Sequence, residues 1–506
     1  MEAVKNMTSL VVRRTAACIA SAAALAAVVP ATAAAKTDRL TQCAGESIIG
    51  RGSTFQNPVQ QVWNKGFNIN KKGAACSGKQ GSKGKPTATY RNTESKDQGS
   101  GSCLKAFGAG ATKNTEYDYC GTDEAPNPTQ KGEIEAQLKG SALGEPEDWL
   151  ETIPVLQGAV AVIVHLPEGC TATAEPSTGK IQRLVLNKAT LEGIYRGTIT
   201  KWSTVIADQG TGNGSDKLTC TGGAPEEEET IRPVVRLDKS GTTHIFKEFL
   251  TQVNTASFEA EAFNEINESP EKEHSKPCPS PKGEEPETWL KVGEGCENQR
   301  WPAAANVLRP SSGHTGNPGV IETVNATPSS IGYADLAVAR EKKDFSAASA
   351  GGGEGKAKFW AEVENVNKKG KKTYSDPASN GDVEAAENSN CKKTAYIDTE
   401  TGHEFPPEST RDSWSQAKAD DEGKTYPICG LTYDLAFKLY DPFFQGAKTE
   451  EQGVALATTV ENYLSFELSK SAGGKEAQHV DYYPLPSNVL AEAIEGVEEI
   501  GYKEST

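Results

Sequence analysis

The chain has 506 residues, which is enough for two domains with hydrophobic cores of their own. It is acidic, with 69 Asp and Glu residues against 53 Lys and Arg residues and a formal net charge of −16. This charge argues against binding to nucleic acid or to anionic membrane surfaces, because both carry dense negative charge. We therefore predict no nucleic-acid partner.

Residues 1–35 have the composition of a secretory signal peptide. Arg13 and Arg14 precede an apolar run at 15–29, and small residues at 31–35 offer a cleavage site. A membrane anchor is the alternative, but this run is short and rich in alanine. No later stretch has the length of a transmembrane helix. We therefore predict a mature chain without a membrane span, located in the secreted, periplasmic or cell-envelope space.

Ten cysteines remain once this segment is removed, and an even number in an exported protein favours disulfides. They are Cys43, Cys76, Cys103, Cys120, Cys170, Cys220, Cys278, Cys296, Cys391 and Cys429. Their connectivity cannot be deduced from the sequence; the pair that we favour is Cys278 with Cys296, which bracket an insert rich in proline and glutamate. No C-x-x-C pair occurs and the six histidines are scattered, so we predict no metal site and no cofactor.

Strand-then-helix segments follow one another along the mature chain. A short apolar start and a Gly-rich turn precede a helical pattern at 47–67. A near-continuous apolar run at 153–166 is typical of a strand that is buried on both faces. A strand followed by a helix is predicted again at 184–196 and at 231–253. This alternation predicts an α/β fold with a largely parallel sheet.

Three segments, 70–86, 268–300 and 341–425, are rich in Gly, Ser, Lys and Glu. Their apolar periodicity is sparse, and residues that break helices and strands are frequent in them. We therefore predict loops or insertions in these segments rather than parts of the core.

Four loops between the predicted elements, at 50–55, 99–102, 121–126 and 236–243, carry the residues that indicate chemistry. The first, second and fourth pair glycine with Ser or Thr at a predicted helix start. A helix N-terminus leaves backbone N–H groups unpaired and carries a partial positive charge, which favours an anion. Each loop alone is more often an ordinary N-cap. Four together, one with an arginine and another with a lone aspartate, indicate an oxyanion site.

These loops belong to a longer series of segments that runs through most of the mature chain. In order, the series contains GRGSTFQNPVQQVW, GSGS, GTDEAP, IPVLQGAVAVIV, LNKATLEGIYRGTITKW, VVRLDKSGTTHIF, GNPGVIETV with SSIGYADL, YPICGLTYDL and FELSKSAGGKEAQHVDYYPLPSNVL. It resembles the periplasmic phosphate-binding proteins of bacterial phosphate ABC importers. The long inserts, the high cysteine count and the lack of a lipid-attachment cysteine depart from that family's pattern.

The resemblance implies a two-lobed α/β protein of the type II periplasmic-binding-protein fold, with the lobes joined by hinge strands. The predicted parts are lobe 1 at 43–152 and 333–506, lobe 2 at 153–332, an insert at 268–300 in lobe 2 and an insert at 341–425 in lobe 1. We expect the chain to cross between the lobes near 153–157 and near 331–333.

The resemblance also implies one dehydrated phosphate ion in the cleft between the lobes. The residues carried over by position are Thr54, Phe55 through its backbone N–H, Ser100, Asp123, Arg236, Ser240, Gly241 and Thr242, with Asp238 as the acidic partner of Arg236. The implied partners are inorganic phosphate and the permease subunits of an ABC importer. We expect the chain to act as a monomer.

The chemistry of phosphate agrees with this set of residues. Phosphate at neutral pH still carries a hydrogen, so a site that selects it over sulfate needs an acceptor as well as donors. A buried Asp123 would accept that hydrogen and would repel a fully deprotonated oxyanion. Arg236 can offer a forked pair of N–H donors. The alternatives are that Asp123 only caps its own turn, and that Arg236 is a surface charge paired only with Asp238.

Three other functions stay open. A secreted phosphate scavenger or surface protein outside transport would share this site, and the same scaffold could bind another oxyanion, although Asp123 argues against sulfate. A hydrolase is the third, because Ser240 and His244 are close in the sequence. We expect His244 to lie among apolar helix neighbours without a partner that orients it, however, and phosphatase metal ligands are missing. We therefore predict a binding protein rather than an enzyme.

Overall fold

A computed structural model describes part of the chain in detail. The described residues are 45–68, 86–91, 99–107, 117–136, 149–172, 185–209, 218–220, 229–236, 238–254, 256, 263–265, 289, 300–302, 308, 310, 316–342, 345, 357–366, 372–378, 391–392, 394–398, 414–420, 425–440 and 450–501. The predicted signal peptide at 1–35 lies outside them, as do Cys278 and Cys296.

Strands and helices alternate over much of this part of the chain. The strands are β1 (Ile48–Gly52), β2 (Ala88–Arg91), β3 (Tyr119–Thr122), β4 (Leu150–His165), β5 (Cys170–Ala172), β6 (Val185–Leu186), β7 (Leu218–Cys220), β8 (Arg232–Val234), β9 (Phe263–Glu265), β10 (Arg300–Pro302), β11 (Ser330–Asp335), β12 (Lys358–Trp360), β13 (Glu362–Val366), β14 (Lys372–Ser375), β15 (Tyr396–Asp398), β16 (Ala417–Ala419), β17 (Cys429–Phe437) and β18 (Tyr482–Tyr483). The helices are α1 (Asn57–Asn68), α2 (Ser100–Ala106), α3 (Pro128–Ala136), α4 (Lys188–Arg196), α5 (Trp202–Gln209), α6 (Gly241–Val253), α7 (Gly316–Ala326), α8 (Leu336–Glu341), α9 (Glu450–Leu468), α10 (Gly473–Gln478) and α11 (Ser487–Glu498).

The largest sheet is organised around β4, which is buried along nearly its whole length. Its strand order is β2-β1-β3-β17-β4-β11-β8, and β12 and β18 also pair with β4. Residues 150–159 of β4 pair with β17, whereas residues 160–165 pair with β11. One strand therefore belongs to both halves of the sheet, and it is buried on both faces as the apolar run predicts.

The sheet is mixed, and the prediction of a largely parallel sheet is wrong at its centre. β1 is parallel to β2 and β3, and β8 is parallel to β11. β17 is antiparallel to both β3 and β4, and β11 is antiparallel to β4. The sequence pattern predicts burial, but burial on both faces occurs for central strands of either direction.

A β-bulge interrupts the pairing of β4 with β17. The register shifts between Thr432, which faces Leu156, and Tyr433, which faces Pro154, so Val155 is the extra residue. Proline has no N–H for the ladder and is tolerated inside a sheet mainly at bulges. Pro154 therefore accounts for the position of this irregularity.

The helices that follow predicted strands have the predicted inward faces. In α4, Leu191, Ile194 and Tyr195 are buried, and Asn187 caps the helix by accepting a hydrogen bond from the N–H of Thr190 at 2.6 Å. In α6 the buried apolar residues are Ile245, Phe246, Phe249 and Leu250. The strand–loop–helix prediction for these segments is confirmed.

Part of the segment 341–425, predicted to lie outside the core, is packed into it. β12 pairs with the end of β4 in antiparallel orientation, and Phe359 and Trp360 are each 1% exposed. Trp414 lies on a short 3-10 helix and packs its ring 6.2 Å from that of Tyr433 on β17. This part of the prediction is wrong because a few large apolar side chains suffice to bury a short strand against a free sheet edge.

Two disulfides in the described residues support the prediction that exported cysteines pair. Cys103 is bonded to Cys120, and Cys391 is bonded to Cys429. The first joins α2 to β3, and the second joins the segment 341–425 to β17. Among the helices that the structure describes, none has the length and apolar character needed to cross a bilayer.

Candidate functional site

The four predicted loops meet at one place in the fold. Because β1 and β3 are parallel neighbours, the loops that follow them lie side by side, and the N–H of Ser53 donates to the carbonyl of Gly121 at 2.8 Å. The loops that begin α2 and α6 are joined by a hydrogen bond of 3.3 Å from the N–H of Gly101 to the carbonyl of Lys239. The predicted side chains buried there are Thr54, Phe55, Ser100, Asp123, Arg236, Ser240 and Thr242.

Gly241 is the point of closest approach between these loops. A Cβ atom on Gly241 would lie 2.7 Å from the Cβ of Asp123 and 2.7 Å from the Oγ of Ser100. Both distances are too short for any side chain at 241. Glycine therefore allows the first turn of α6 to lie directly against Asp123, and the first N–H groups of a helix have no partner within it.

Asp123 accepts hydrogen bonds from three hydroxyl groups. Ser53 and Thr432 donate to its Oδ1, the latter at 3.0 Å, and Ser100 donates to its Oδ2 at 3.2 Å. Burial raises the pKa of Asp123 to about 6, while the hydroxyl donors and the charge of Arg236 act to lower it. At neutral pH the group is therefore mainly an ionised acceptor.

Arg236 is 1% exposed and is held by a forked ion pair. Its Nε donates to Oδ1 of Asp238 at 2.8 Å, and its Nη2 donates to Oδ2 of the same carboxylate. Its Nη1 donates to Oδ1 of Asn317 at 3.3 Å and to Oγ1 of Thr242 at 3.5 Å. Burial lowers the pKa of Arg236, but the charge and hydrogen bonds of Asp238 more than offset it, so the pKa is raised. The guanidinium is a permanent cation, not a surface charge.

Two of the predicted donors have partners inside the protein. The N–H of Phe55 donates to Oγ of Ser53 at 2.9 Å, and the ring of Phe55 packs edge-on against Tyr482. Ser240 caps α6 by accepting a hydrogen bond from the N–H of Thr243 at 3.2 Å. The ordinary N-cap interpretation of Ser240 is therefore correct as a description of its side chain.

Three residues of this cluster were absent from the predicted set. Ser53 and Thr432 donate to Asp123, and Asn317 contacts Arg236 and Thr242. All three lie within segments that carry the family resemblance, and Ser53 also lies in the predicted oxyanion loop at 50–55. Nothing local links Thr432 to Asp123, which is 309 residues away and is reached through the pairing of β17 with β3.

His244 has charged neighbours, so the prediction of apolar surroundings without a partner is wrong. Its Nε2 lies 3.3 Å from Oε1 of Glu248, and its Nδ1 lies 3.9 Å from Oε1 of Glu124. The first is one helical turn away on α6, and the second comes from the loop after β3. The imidazole is thus flanked by two carboxylates. The contact described for the side chain of Ser240 is with the N–H of Thr243 rather than with this imidazole.

A network of hydrogen bonds continues behind Asp123. Nε2 of Gln56 donates to Oγ1 of Thr432 at 2.6 Å, and Nε2 of Gln60 is 3.3 Å from Oε1 of Gln56. Nε2 of Gln60 also lies 3.1 Å from Oδ2 of Asp434 and 3.2 Å from Oε1 of Glu467. Burial raises the pKa of both carboxyl groups, to about 6 for Asp434. The charge of Asp434 also acts to raise the pKa of Glu467.

The sequence identifies the superfamily to which the chain belongs. The model of the PBP superfamily domain matches residues 38–397, well over half of the chain. The chain therefore belongs to the PBP superfamily. No curated protein matches it. The superfamily and the predicted α/β fold class are confirmed, whereas phosphate binding, the limits of the lobes and the ligand roles of the site residues stay predictions.

Among solved structures, the chain is similar to several phosphate-binding proteins. The phosphate-binding protein from Stenotrophomonas maltophilia shares 15% identity over 89% of this chain and 93% of its own, with a TM-score of 0.49. The periplasmic phosphate-binding protein PfluDING, bound with phosphate, shares 16% identity over 88% of this chain and 92% of its own, with a TM-score of 0.49. An ABC-type phosphate transport receptor from Vibrio cholerae shares 13% identity over 87% of this chain and 100% of its own, with a TM-score of 0.37. Identities this low leave the ligand of this chain to be argued from its own residues.

Proposed function

We propose that this chain binds inorganic phosphate at the cluster of Asp123, Arg236 and their neighbouring hydroxyl groups. The observation that carries the proposal is a buried, ionised carboxylate placed among donors. Hydroxyl groups, helix N–H groups and a guanidinium are what an oxyanion needs as donors. The carboxylate adds an acceptor, which only an oxyanion that still carries a hydrogen can use.

The charge balance of the cluster explains why Asp123 would select phosphate over sulfate. Arg236 is neutralised by Asp238, and Asp123 adds a further negative charge, so the cluster has no surplus positive charge to attract every anion. Binding must come from directed hydrogen bonds, which suits a protein with a net charge of −16. Sulfate would place an anionic oxygen against Asp123 in a desolvated site, at a cost of several kcal/mol.

Delivery to an ABC importer is the finer part of the proposal. It is supported by the family resemblance of the sequence and by the predicted export of the chain. In this role the protein acts as a monomer outside the cytoplasm and presents phosphate to permease subunits. Uptake of labelled phosphate by the host, with and without this chain, tests the role separately from binding. Unchanged uptake together with tight binding would favour a secreted scavenger.

Calorimetric titration of the purified chain with phosphate, arsenate and sulfate tests the binding itself. We expect one phosphate bound per chain, competition by arsenate because of its similar shape and protonation, and no binding of sulfate at neutral pH. Equal affinity for sulfate would contradict the role given to Asp123. Release of phosphate from a phosphate ester would point instead to an enzyme.

A further inference from the structure

Asn317 contacts three of the residues proposed to bind phosphate. It is the second residue of α7 and is 0% exposed. Its Oδ1 accepts a hydrogen bond from Nη1 of Arg236 at 3.3 Å, and its Nδ2 donates to Oγ1 of Thr242 at 3.3 Å. Its backbone N–H donates to Oγ1 of Thr54 at 3.4 Å. Asn317 therefore joins a loop of predicted lobe 1 to two residues of predicted lobe 2.

The directions of these bonds determine what the hydroxyl groups can do. A threonine hydroxyl has one hydrogen to donate and two lone pairs that accept. Oγ1 of Thr242 accepts from Nδ2 of Asn317 and, at 3.5 Å, from Nη1 of Arg236. Its hydrogen must then go to a different acceptor. Oγ1 of Thr54 likewise accepts from Asn317, which leaves its hydrogen to donate.

Gly316 brings Asn317 into this position. Its φ of 74° lies in the left-handed region, and a Cβ there would lie 2.8 Å from Cγ2 of Thr54. Its N–H lies 3.4 Å from Oδ1 of Asp238, the carboxylate that holds Arg236. The start of α7 is therefore fitted closely to residues of both predicted lobes.

We propose that Asn317 is a positioning residue that sets the hydroxyl groups of Thr54 and Thr242 as donors to the anion and holds the guanidinium of Arg236 beside them. The proposal rests on the proposed phosphate site and adds a residue outside the set carried over from the family. An amide is required at this position because it both accepts from the guanidinium and donates to the hydroxyl of Thr242. A carboxylate at the same position accepts only and would draw the hydrogen of Thr242 away from the ligand.

Two substitutions at 317 and one matched control test the proposal by calorimetry. We expect Asn317→Ala to weaken phosphate binding about tenfold, because two neutral or charge-assisted hydrogen bonds are lost. Asn317→Asp preserves the shape of the side chain but adds a negative charge, and should weaken binding about 100-fold or more. Asn325→Ala, about 12 Å further along α7, should leave the affinity unchanged. Affinity within twofold of wild type in both 317 variants would overturn the proposal.

A double-mutant cycle with Thr242→Val separates positioning from a general structural effect. If Asn317 acts through the hydroxyl of Thr242, then Asn317→Ala should cost clearly less in the Thr242→Val background than in the wild type. Losses that simply multiply would show that Asn317 does not act through this hydroxyl and would count against the proposal. Circular dichroism of each variant checks that the fold is retained.

A ligand-free measurement keeps the test independent of the phosphate assignment. In a crystal structure of ligand-free Asn317→Ala we expect the guanidinium of Arg236 or the hydroxyl of Thr242 to move, whereas Asn325→Ala should leave both in place. Unmoved side chains would overturn the proposal even if phosphate binds. Displaced side chains in a protein that binds no phosphate would instead uphold the role of Asn317 and reject the proposed function.

Discussion

Asp123 and Asp434 lie at the two ends of one buried hydrogen-bond network, and burial raises the pKa of each to about 6. The partners of Asp123 are hydroxyl groups, which can turn their hydrogen to a new acceptor when a ligand arrives. Asp434 contacts the amide of Gln60 and the carboxyl group of Glu467, whose pKa burial raises well above its ordinary value. Equal burial thus produces an acceptor with exchangeable partners at one end and a pair of carboxyl groups held by one amide at the other.

The largest expected effect on phosphate affinity comes from replacing Arg236, whose positive charge acts on Asp123. Arg236→Ala removes a charge-assisted hydrogen bond to phosphate, contributing about 1.5–3 kcal/mol, together with the positive charge beside it, so affinity should fall about 100-fold or more. Arg236→Lys should recover only part of the loss because an ammonium has no fork. We expect calorimetry to show this with an unchanged circular dichroism spectrum.

A matched control for this experiment is Arg340→Ala. Arg340 forms an ion pair with Asp481 at 2.7 Å but is 42% exposed, and neither residue belongs to the cluster. Its removal should leave phosphate affinity unchanged. Near-wild-type binding by Arg236→Ala would remove Arg236 from the site.

Next in size is the effect of neutralising each aspartate on anion selection. Asp123→Asn replaces an acceptor with an amide that also donates, so sulfate should gain about 100-fold relative to phosphate. Asp434→Asn should leave the ratio of the two affinities as it is, because Asp434 does not meet the anion. Calorimetry with both anions on both variants decides the matter. A ratio that moves equally in the two variants would show that the ends of the network do not differ.

Comparing the pH dependence of stability in wild type and in Asp434→Asn should isolate the contribution of Asp434. The pKa of Asp434 is raised in the folded protein, so its contribution to stability is complete below its unfolded pKa near 4 and is lost as pH rises through about 6. Without phosphate, the wild type should lose about 1–2 kcal/mol from this group between pH 5 and 7.5. Urea unfolding should show a smaller loss for Asp434→Asn. An identical pH dependence in both proteins would contradict the raised pKa.

The smallest effect should come from cutting the network between its two ends. Thr432→Val removes one hydroxyl donor from Asp123, which should weaken phosphate binding about fivefold. It should also raise the pKa of Asp123 further, so sulfate should begin to bind at a higher pH than in wild type, as the protonated carboxyl becomes a donor. Sulfate titrations from pH 5 to 7.5 measure this shift. An unshifted onset of sulfate binding would mean that Thr432 does not act on Asp123.

Local patterns predicted much of the fold and the outline of the site. The apolar run at 153–166 predicted β4, and the strand–loop–helix segments predicted α4, α6 and the loops that meet at Asp123. Such features depend on residues close together in the chain, so periodicity and capping preferences reveal them.

Features that depend on distant pairing were missed. The direction of β17, the burial of Trp414 and the contact of Thr432 with Asp123 all arise from strands that pair across hundreds of residues or pack on them. Glu124, one of the two carboxylates beside His244, was missed for the same reason, because it comes from another loop. Glu248 is one turn along α6, and that helical spacing was a signal the sequence did contain.

The β-bulge at Val155 gives this part of the chain a strict length requirement. Side chains on a strand alternate between its two faces, so removing one residue reverses the face that each later residue presents. Deleting Val155 would remove the bulge and place Pro154 at a regular position of the ladder between β4 and β17. Proline has no N–H to donate there. A proline outside the contacts of the proposed site therefore constrains the register of Thr432, which faces Leu156 directly beside the bulge.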